Sequence, residues 1–214
     1  MKKIYIIIIL VAIIALAFWV FKKNSTNTNA SIPLNNEEGV LGWVKGNKDS
    51  NVKLVEYSDF QCPACRYYYS LVKELNDKFA GKIYFEYRNF PLKQIHRNAM
   101  MASQAAEAAG LQNKFWEMYD KLFENQKDWS NMNKTEFEQT LAGYAEEIKL
   151  NVEKFKTDLV SKEITNKVEA SYNFAIKNKI NFTPTFFLNG NKINNPRTID
   201  EFSKIIQDKL NENS

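Results

Sequence analysis

The sequence contains few residues of the types that build metal centres and disulfide scaffolds. Its 214 residues include two cysteines and one histidine. Two cysteines form at most one disulfide within the chain, so a scaffold held by several disulfides is excluded. One histidine excludes most catalytic metal sites built within a single chain, because such sites combine several imidazole, thiolate or carboxylate ligands. No metal ion is therefore predicted.

Glycine and proline are also scarce, with seven and five residues respectively. This scarcity argues against a turn-rich β-sandwich and against a low-complexity chain. Hydrophobic residues make up 44% and aromatic residues 14% of the sequence, which favours a packed core over intrinsic disorder. We expect one globular domain, or one domain with a large insertion.

Acidic residues are absent before Glu37, and the formal net charge of +4 arises at this end of the chain. From Asn24 onward, basic and acidic residues balance. A formally neutral domain lacks the excess of basic residues that binds nucleic acids, so no nucleic-acid partner is predicted. The excess positive charge belongs to the lysines that flank one apolar run: Lys2, Lys3, Lys22 and Lys23.

The apolar run, residues 4–21, holds no charged residue. As a helix it has a length of roughly 27 Å, which is sufficient to cross a bilayer core. We predict one N-terminal transmembrane anchor over residues 1–23 and a flexible tether over residues 24–38, with an extracytoplasmic domain after them. Two alternatives stay open: a cleaved signal peptide, for which residues 15–17 offer a small-x-small site, and a buried soluble helix.

The rest of the chain alternates between strand and helix patterns. Strands are predicted at Val52–Tyr57, Lys82–Arg88 and Thr185–Leu188, with an edge strand at Val40–Val44. Asn189-Gly190 is a hairpin signal with Ile193 in the return strand. Helices are predicted over residues 63–79, in a long block after Arg88, and over residues 199–210 with Thr198 as the N-cap. This order predicts an α/β sheet interrupted by an all-helical insertion.

Apolar residues recur at spacings of three and four within the helical block. Asn133 and Glu136 form a capping-box pattern at the start of one helix. Further helices are predicted near residues 152–160 and 162–177. Two apolar stripes begin the block: Ile95, Ala99, Ala102, Ala106 and Ala109, and then Phe115, Met118, Tyr119, Leu122 and Phe123.

Both cysteines lie in one Cys-Pro-Ala-Cys motif, residues 62–65, at a junction between strand and helix. Cys62 falls at the helix N-cap, where free backbone N–H groups and the helix dipole stabilise an anion and lower the pKa of a thiol. Pro63 suits the first helical turn, where its missing N–H costs nothing. Cys65, less than one turn further on, can attack a mixed disulfide formed at Cys62. We therefore predict Cys62 as an exposed nucleophile and Cys65 as a shielded resolving thiol.

Three other interpretations of this motif are open. The two cysteines can act as small core residues. They can form half of a zinc site, for which His96 is the only other soft ligand in the chain. They can also form a purely structural disulfide, although so short a loop is strained and stabilises little.

A second motif, Phe182–Phe187, places Pro184 directly before a predicted strand. A proline directly before a strand allows a cis peptide bond, which is otherwise rare in folded chains, although most X-Pro bonds are trans.

Four segments, in order and spacing, together resemble the DsbA family of thiol:disulfide oxidoreductases, with the membrane-anchored, BdbD-like branch as the nearest. These segments are Glu56–Cys65, Asn89–Leu92, Lys114–Trp116 and Thr183–Gly190. The resemblance covers roughly Gly39 to Leu210. It implies a thioredoxin fold with a helical domain inserted between the third strand and the cis-proline strand.

The predicted organisation therefore has five parts. The membrane anchor and the tether are followed by the first part of a thioredoxin-like domain. A helical insertion separates that part from the second part of the same domain. The boundaries are residues 1–23, 24–38, 39–92, 93–179 and 180–214.

The resemblance also assigns site residues. Cys62 and Cys65 match the catalytic pair, with Pro63 and Ala64 as the residues of the active-site motif between them. Thr183 and Pro184 match the cis-proline loop, which would offer backbone groups to an extended substrate. Glu56 matches a partly buried acid that helps proton transfer at the resolving cysteine, although a satisfied strand glutamate is the alternative.

Two further polar residues receive structural roles. Asp59 is interpreted as structural. His96 resembles a histidine of this branch at the start of the first insertion helix, and we predict a capping or surface role for it, not a catalytic one.

One position departs from the family. The best-known members carry histidine where this chain has Ala64, and the residues between the cysteines tune how oxidising the pair is. The primary hypothesis is an extracytoplasmic oxidase that introduces disulfides into secreted or membrane proteins, with no cofactor beyond its own redox-active disulfide. The alternatives are a reductase or isomerase of the same fold, and a non-enzymatic anchored binding or chaperone module.

The predicted partners follow from that hypothesis. Substrates are cysteine-containing secreted or membrane proteins. Since the chain holds no third cysteine, it cannot reoxidise itself internally. A quinone-linked membrane protein of the DsbB or vitamin K epoxide reductase type is the expected oxidant.

Overall fold

The computed structural model describes Ser31 and residues 42–212 of the chain. Among these residues no helix combines the length and the apolar character needed to cross a bilayer. The predicted anchor over residues 1–23 lies outside the described residues, and so does the predicted tether apart from Ser31.

Five strands and eight helices make up the described part of the chain. The strands are β1 (Trp43–Gly46), β2 (Lys53–Ser58), β3 (Tyr84–Asn89), β4 (Thr185–Leu188) and β5 (Asn191–Lys192). The helices are α1 (Pro63–Lys78), α2 (Ala99–Gly110), α3 (Phe115–Glu124), α4 (Gln126–Trp129), α5 (Lys134–Glu147), α6 (Val152–Leu159), α7 (Lys162–Lys177) and α8 (Ile199–Glu212).

The five strands form one mixed sheet in the order β1-β3-β2-β4-β5. Strand β2 pairs in parallel with β3 and antiparallel with β4, while β1 is antiparallel to β3 at one edge. The parallel connection from β2 to β3 runs through α1, as a crossover helix requires. This is the thioredoxin-like α/β architecture that the sequence predicted, and β2 at its centre leads directly into the Cys-Pro-Ala-Cys motif.

Side chains of β2 alternate between two cores because successive residues of a strand point to opposite faces. Leu54 packs into the larger core with Leu75 of α1 and Phe186 of β4. Val55 faces the smaller core, which includes Phe174 of α7. By the same alternation, Glu56 shares a face with Leu54 and therefore points towards the α1 side, where the cysteines lie.

Helices α2 to α7 fill the stretch in which the sequence loses its β pattern. The second predicted stripe is confirmed, because all five of its residues are buried on α3. The capping box at Asn133 and Glu136 is present at the start of α5. Helices α6 and α7 lie where the pattern predicts them. The division into domains at residues 92/93 and 179/180 stays a prediction.

The first predicted stripe is wrong at its beginning. Helix α2 begins at Ala99, and Ile95 is 73% exposed. The amide of Leu92 donates to the Asp59 carboxylate at 2.8 Å, and backbone bonds from Ile95 and His96 to Leu92 close a turn. The segment is therefore held against the motif loop and does not continue the helix.

Two other predicted boundaries move. The edge strand β1 begins at Trp43 in the described part of the chain, and the predicted start at Val40 lies outside it. The hairpin at Asn189-Gly190 is confirmed with both residues at positive φ, but β5 ends at Lys192. Ile193 only continues the pairing with one backbone bond to Phe186.

Strand β1 is fixed to the helical segment by Trp43. Its ring stacks on Phe115 with centroids 4.5 Å apart, and its Nε1–H donates to Glu107 at 2.9 Å. Gly110 of α2 lies directly against this ring, and any Cβ at that position would overlap the indole. The glycine thus permits the close approach of α2 to the edge of the sheet.

Candidate active site

The two cysteines lie at the N-terminus of α1, immediately beyond the end of β2. Cys62 is the N-cap residue, with the extended backbone angles φ −72° and ψ 123°, and Pro63 begins the helix. The carbonyl of Cys62 accepts from the amide of Arg66 at 3.1 Å, which closes the first turn. The predicted N-cap position of Cys62 is confirmed.

Both cysteines are free thiols, and both are buried. Cys62 is 7% exposed and Cys65 is completely buried. The prediction of an exposed Cys62 is therefore wrong in degree, although the order of accessibility is the predicted one. Gln126 of α4 covers the motif from one side, and its Nε2 donates to the carbonyls of Phe60 and Cys62 at 2.7 and 2.9 Å. The exposed residues of the motif are Pro63 and Ala64.

The environments of the two thiols push their pKa values in opposite directions. The hydrogen bond from the Cys65 thiol lowers the pKa of Cys62 from 9.0 to about 6, against the opposing effect of burial. The backbone amide of Cys65 contributes to this lowering. Burial raises the pKa of Cys65 well above 9.0. One thiolate and one thiol is the favoured state of the reduced pair at neutral pH.

The loop before β4 closes the site on the other side. The Thr183-Pro184 peptide bond is cis, as predicted. The carbonyl of Thr183 lies 3.6 Å from Sγ of Cys62 and accepts from it. Thr183 is 8% exposed, and its hydroxyl also lowers the pKa of Cys62. The sequence motif that was separated from the cysteines by about 120 residues is thus in contact with Cys62.

Glu56 lies in the interior beneath the cysteines. It is 1% exposed, and its Oε2 has no hydrogen-bond partner within the described part of the chain. Burial raises the pKa of Glu56 from 4.5 to about 8. Its charge in turn raises the pKa of Cys65. Oε2 is thus unpaired among the described residues, and the choice between a proton-transfer acid and a structural strand glutamate stays a prediction.

The completely buried Asp59 and the partly buried His96 form a pair beside the motif. His96 Nδ1 lies 2.7 Å from Oδ2 of Asp59, whose side chain is completely buried. The predicted capping or surface role of His96 is wrong, since Asn98 is the N-cap of α2 and the His96 side chain is 17% exposed. His96 lies on Asp59 because the turn after Leu92, whose amide also donates to Asp59, brings its side chain there. The prediction of a structural Asp59 agrees with its three hydrogen bonds.

Two polar contacts of the motif loop were not visible in the sequence. Gln61 donates through Nε2 to the carbonyl of Ser130 at 2.8 Å and accepts from the amide of Asn98 at 2.7 Å. Gln126, which covers Cys62, lies on the four-residue helix α4. Neither amide carries a local sequence signal, because each acts on residues more than 30 positions away.

A groove of about 1180 Å³ opens beside the motif, between α1 and the α3–α4 region. Pro63, Tyr67 and His96 line it near the cysteines, and Arg66 and Glu124 add opposite charges. Within residues 42–212 and Ser31, no cluster of three or more histidine, cysteine or acidic residues has the arrangement of a metal site.

Comparison with known proteins gives three results. A family model described as Thioredoxin matches residues 40–208. The probable disulfide bond formation protein D of Bacillus cereus is 36% identical over 171 residues, which are 77% of this chain and 77% of that protein. The oxidised crystal structure of BdbD from Bacillus subtilis superposes with a TM-score of 0.69 at 26% identity, covering 79% of this chain and 93% of that one.

A different kind of relative is much longer. The Na⁺/H⁺ antiporter NhaA 1 of Salinispora arenicola is 33% identical over 163 residues, which are 76% of this chain. The match spans 24% of the antiporter's length.

Proposed function

Because the chain belongs to the thioredoxin-like thiol:disulfide oxidoreductases of the DsbA and BdbD type, we propose that it oxidises cysteine pairs of other proteins through Cys62 and Cys65. The observation that supports this direction is the lowered pKa of Cys62 beside a completely buried Cys65. A stabilised thiolate favours the reduced form, and so it makes the disulfide form a stronger oxidant.

The reaction begins with the Cys62–Cys65 disulfide. A substrate thiolate attacks Sγ of Cys62, the bond between the two cysteines breaks, and the sulfur of Cys65 leaves with the electron pair. Cys65 then takes up a proton, since burial raises its pKa well above 9.0. Glu56, whose pKa of about 8 keeps it protonated at neutral pH, is the residue that we assign to supply this proton.

The second step releases the product. A second substrate thiolate attacks the substrate sulfur of the mixed disulfide, and Cys62 leaves as a thiolate. A leaving thiol of low pKa departs faster, so the pKa of about 6 assists this step. The substrate gains one disulfide and releases two protons to solvent, and Glu56, which gave its own proton to Cys65, takes one proton back.

The cis-proline loop gives the site a place for an extended substrate. Thr183 and Pro184 present backbone groups next to Cys62, and Pro63 and Ala64 form the exposed rim of the motif. An extended segment that pairs with backbone groups of this loop would bring its cysteine to Cys62. Secreted and membrane proteins with cysteines are the proposed substrates.

The proposed location is the outer side of the cell membrane, with residues 1–23 as a single-pass anchor. The apolar run with lysines at both ends supports the anchor, and a disulfide donor persists only outside the reducing cytoplasm. With two cysteines in the chain, reoxidation needs an external acceptor. A quinone-linked membrane protein of the DsbB or vitamin K epoxide reductase type is the proposed partner.

The test is the equilibrium of the full-length chain with glutathione redox buffers, together with the pKa of Cys62 from thiolate absorbance. Thioredoxin combines a cysteine pKa of about 7 with a potential of about −270 mV, and DsbA combines about 3.5 with about −120 mV. We expect a potential between these two values. A potential at or below that of thioredoxin would reverse the proposed direction and favour a reductase.

Two variants connect the potential to the reaction. Cys62→Ser should abolish disulfide transfer to a reduced, unfolded test protein. Cys65→Ser, with Cys62 first converted to its mixed disulfide with glutathione, should exchange glutathione for the test protein and accumulate an adduct that is visible on a non-reducing gel. Disulfide formation in client proteins that Cys62→Ser leaves unchanged would instead favour a non-enzymatic binding role.

A further inference from the structure

The carboxylate of Asp59 is a buried negative charge held by three donors. The amide of Gln61 donates to Oδ1 at 2.7 Å, and the amide of Leu92 donates to Oδ2 at 2.8 Å. The third partner is His96 Nδ1, at 2.7 Å from Oδ2. Of these three groups, only the imidazole of His96 can carry a positive charge.

Asp59 is connected to both cysteines through its backbone. Its carbonyl accepts from the amide of Cys62 at 3.1 Å, and its amide donates to Sγ of Cys65 at 3.5 Å. A negative charge at this position opposes a thiolate at Cys62 and raises the pKa of that thiol. Buried charges are weakly screened, so salt does not remove the repulsion between the Asp59 carboxylate and the Cys62 thiolate.

The motif itself offers no compensating charge. Pro63 and Ala64, the two residues between the cysteines, cannot ionise. Arg66, one turn further along α1, is bound to backbone carbonyls of the α3 end, with Nε 3.1 Å from the carbonyl of Phe123. His96 is the cationic side chain that the fold places directly on Asp59.

We propose that His96 is a positioning residue for the Cys62 thiolate. It acts through Asp59: the imidazolium offsets the buried carboxylate and so favours the thiolate, without touching the reacting sulfur. This inference rests on the proposed thiol:disulfide function, because it assigns His96 a part in keeping the pair oxidising.

The groups that face this cluster are few. The hydrogen bond to Asp59 raises the pKa of His96 above 6.5, and the Cys62 thiolate raises it further. Glu56 is held protonated at neutral pH by burial. The titratable side chains that interact with the pair are Cys62 of the motif, Cys65 of α1 and Tyr87 of β3, and Arg66 of α1 and Glu124 of α3 are charged residues that line the same groove as His96.

The first test uses the unmodified protein. Since two sites that influence each other do so reciprocally, a thiolate that is stabilised by His96 must in turn stabilise the imidazolium. His96 is the only histidine in the sequence, so its ring protons give one unambiguous NMR titration in the full-length, untagged chain.

We expect the pKa of His96 to be higher by roughly half a unit or more in the reduced protein than in the disulfide form, where Cys62 carries no charge. Titration curves that coincide in the two redox states would overturn the proposal. This measurement requires no variant and no catalytic activity.

The second test measures Cys62 in variants. His96→Gln keeps a side-chain donor for Asp59 but removes the charge. We expect the pKa of Cys62 to rise by about one unit, and the equilibrium with glutathione at pH 7 to become roughly fivefold less oxidising. Arg97→Gln is the matched control, because it removes an exposed positive charge one residue away and should leave both values unchanged.

The third measurement separates charge from structure. In the Asp59→Asn background, the carboxylate that His96 offsets is gone, so His96→Gln should change the pKa of Cys62 by far less than in the unmodified protein. An equal change in both backgrounds would show that His96 does not act through Asp59, which contradicts the proposal. Should these variants fail to fold, the NMR titration decides the question alone.

The outcomes distinguish this inference from the proposed function. If Cys62→Ser still transfers disulfides, the proposed function fails while the titrations of His96 and Cys62 keep their meaning. If transfer depends on Cys62 but the two titrations are independent, the function holds and the role of His96 is wrong.

Discussion

Glu56 is the residue whose burial has the clearest energetic cost. A carboxyl group with a pKa raised to about 8 in the folded protein favours folding only while it is protonated. The contribution of Glu56 to the free energy of unfolding is fully present below about pH 4.5 and is lost as the pH rises through about 8. At neutral pH, Glu56 therefore destabilises the folded chain relative to a neutral side chain of the same shape.

We predict that Glu56→Gln raises the free energy of unfolding by about 2 kcal/mol at pH 7 and changes it little at pH 4. The measurement is urea unfolding at both pH values. Glu146→Gln is the control, because Glu146 is exposed on α5 and its substitution should change stability by less than about 0.5 kcal/mol. A stabilisation that is equal at pH 4 and pH 7 would mean that ionisation of Glu56 is not its source.

Residue roles that depend on the local chain were predictable, and roles that depend on distant chain segments were not. The N-cap position of Cys62 follows from its place between strand and helix pattern. The burial of Cys62 does not, because it is caused by Gln126 and Thr183, which are distant in sequence. His96 was assigned to a helix end for the same reason: its partner Asp59 lies 37 positions away.

The capping box of α5 is an element-scale feature that sequence and structure share. The Asn133 side chain accepts from the amide of Glu136 at 3.0 Å, and the Glu136 carboxylate accepts from the amide of Asn133 at 3.0 Å. Two backbone donors that the helix cannot use are thereby satisfied.

We predict that Asn133→Ala lowers the free energy of unfolding by about 1 kcal/mol, whereas Asn133→Ser, which keeps a capping oxygen, loses much less. Thermal unfolding of both variants beside Asn131→Ala, a nearby exposed position, checks this. The helix dipole of α1 is not involved, so the pKa of Cys62 should stay at its unmodified value in all three variants. A change in that pKa would indicate that α5 and the motif are coupled.

Long elements with a regular pattern were predicted well, and short connecting elements were not. The periodicity of α3, α6 and α7 gave their positions to within one or two residues. Helix α4 has four residues, which is too short for a period to be visible. The start of α2 was placed too early, because the apolar Ile95 continued the pattern while tertiary contacts to Asp59 ended it.

The charge on Cys62 contributes to the free energy of unfolding of the whole reduced protein. In the reduced folded protein the pKa of Cys62 is lowered to about 6, while in the unfolded chain the thiol has its ordinary value near 9. The stabilisation is therefore fully present above about pH 9 and is lost as the pH falls through about 6. At pH 7 it amounts to roughly 1 kcal/mol.

We predict that the reduced protein loses this stability between pH 8 and pH 5, relative to Cys62→Ser measured under the same conditions. The subtraction removes the opposite trend from Glu56, which both proteins retain. Chemical unfolding of the two proteins at several pH values gives the difference directly. A difference that does not vary with pH would place the pKa of Cys62 near its unfolded value and weaken the case for an oxidase.

The contact between Cys62 and the Thr183 carbonyl limits which substrate cysteines can reach the Cys62 sulfur. With 7% of Cys62 exposed, its sulfur barely reaches the surface. A cysteine in the interior of a folded client is recessed in the same way, so two recessed sulfurs cannot come within bonding distance. Under the proposed function, clients would be oxidised only while their cysteines still lie on unfolded segments. The enzyme would thereby act before its clients fold, and their own folding would end its access.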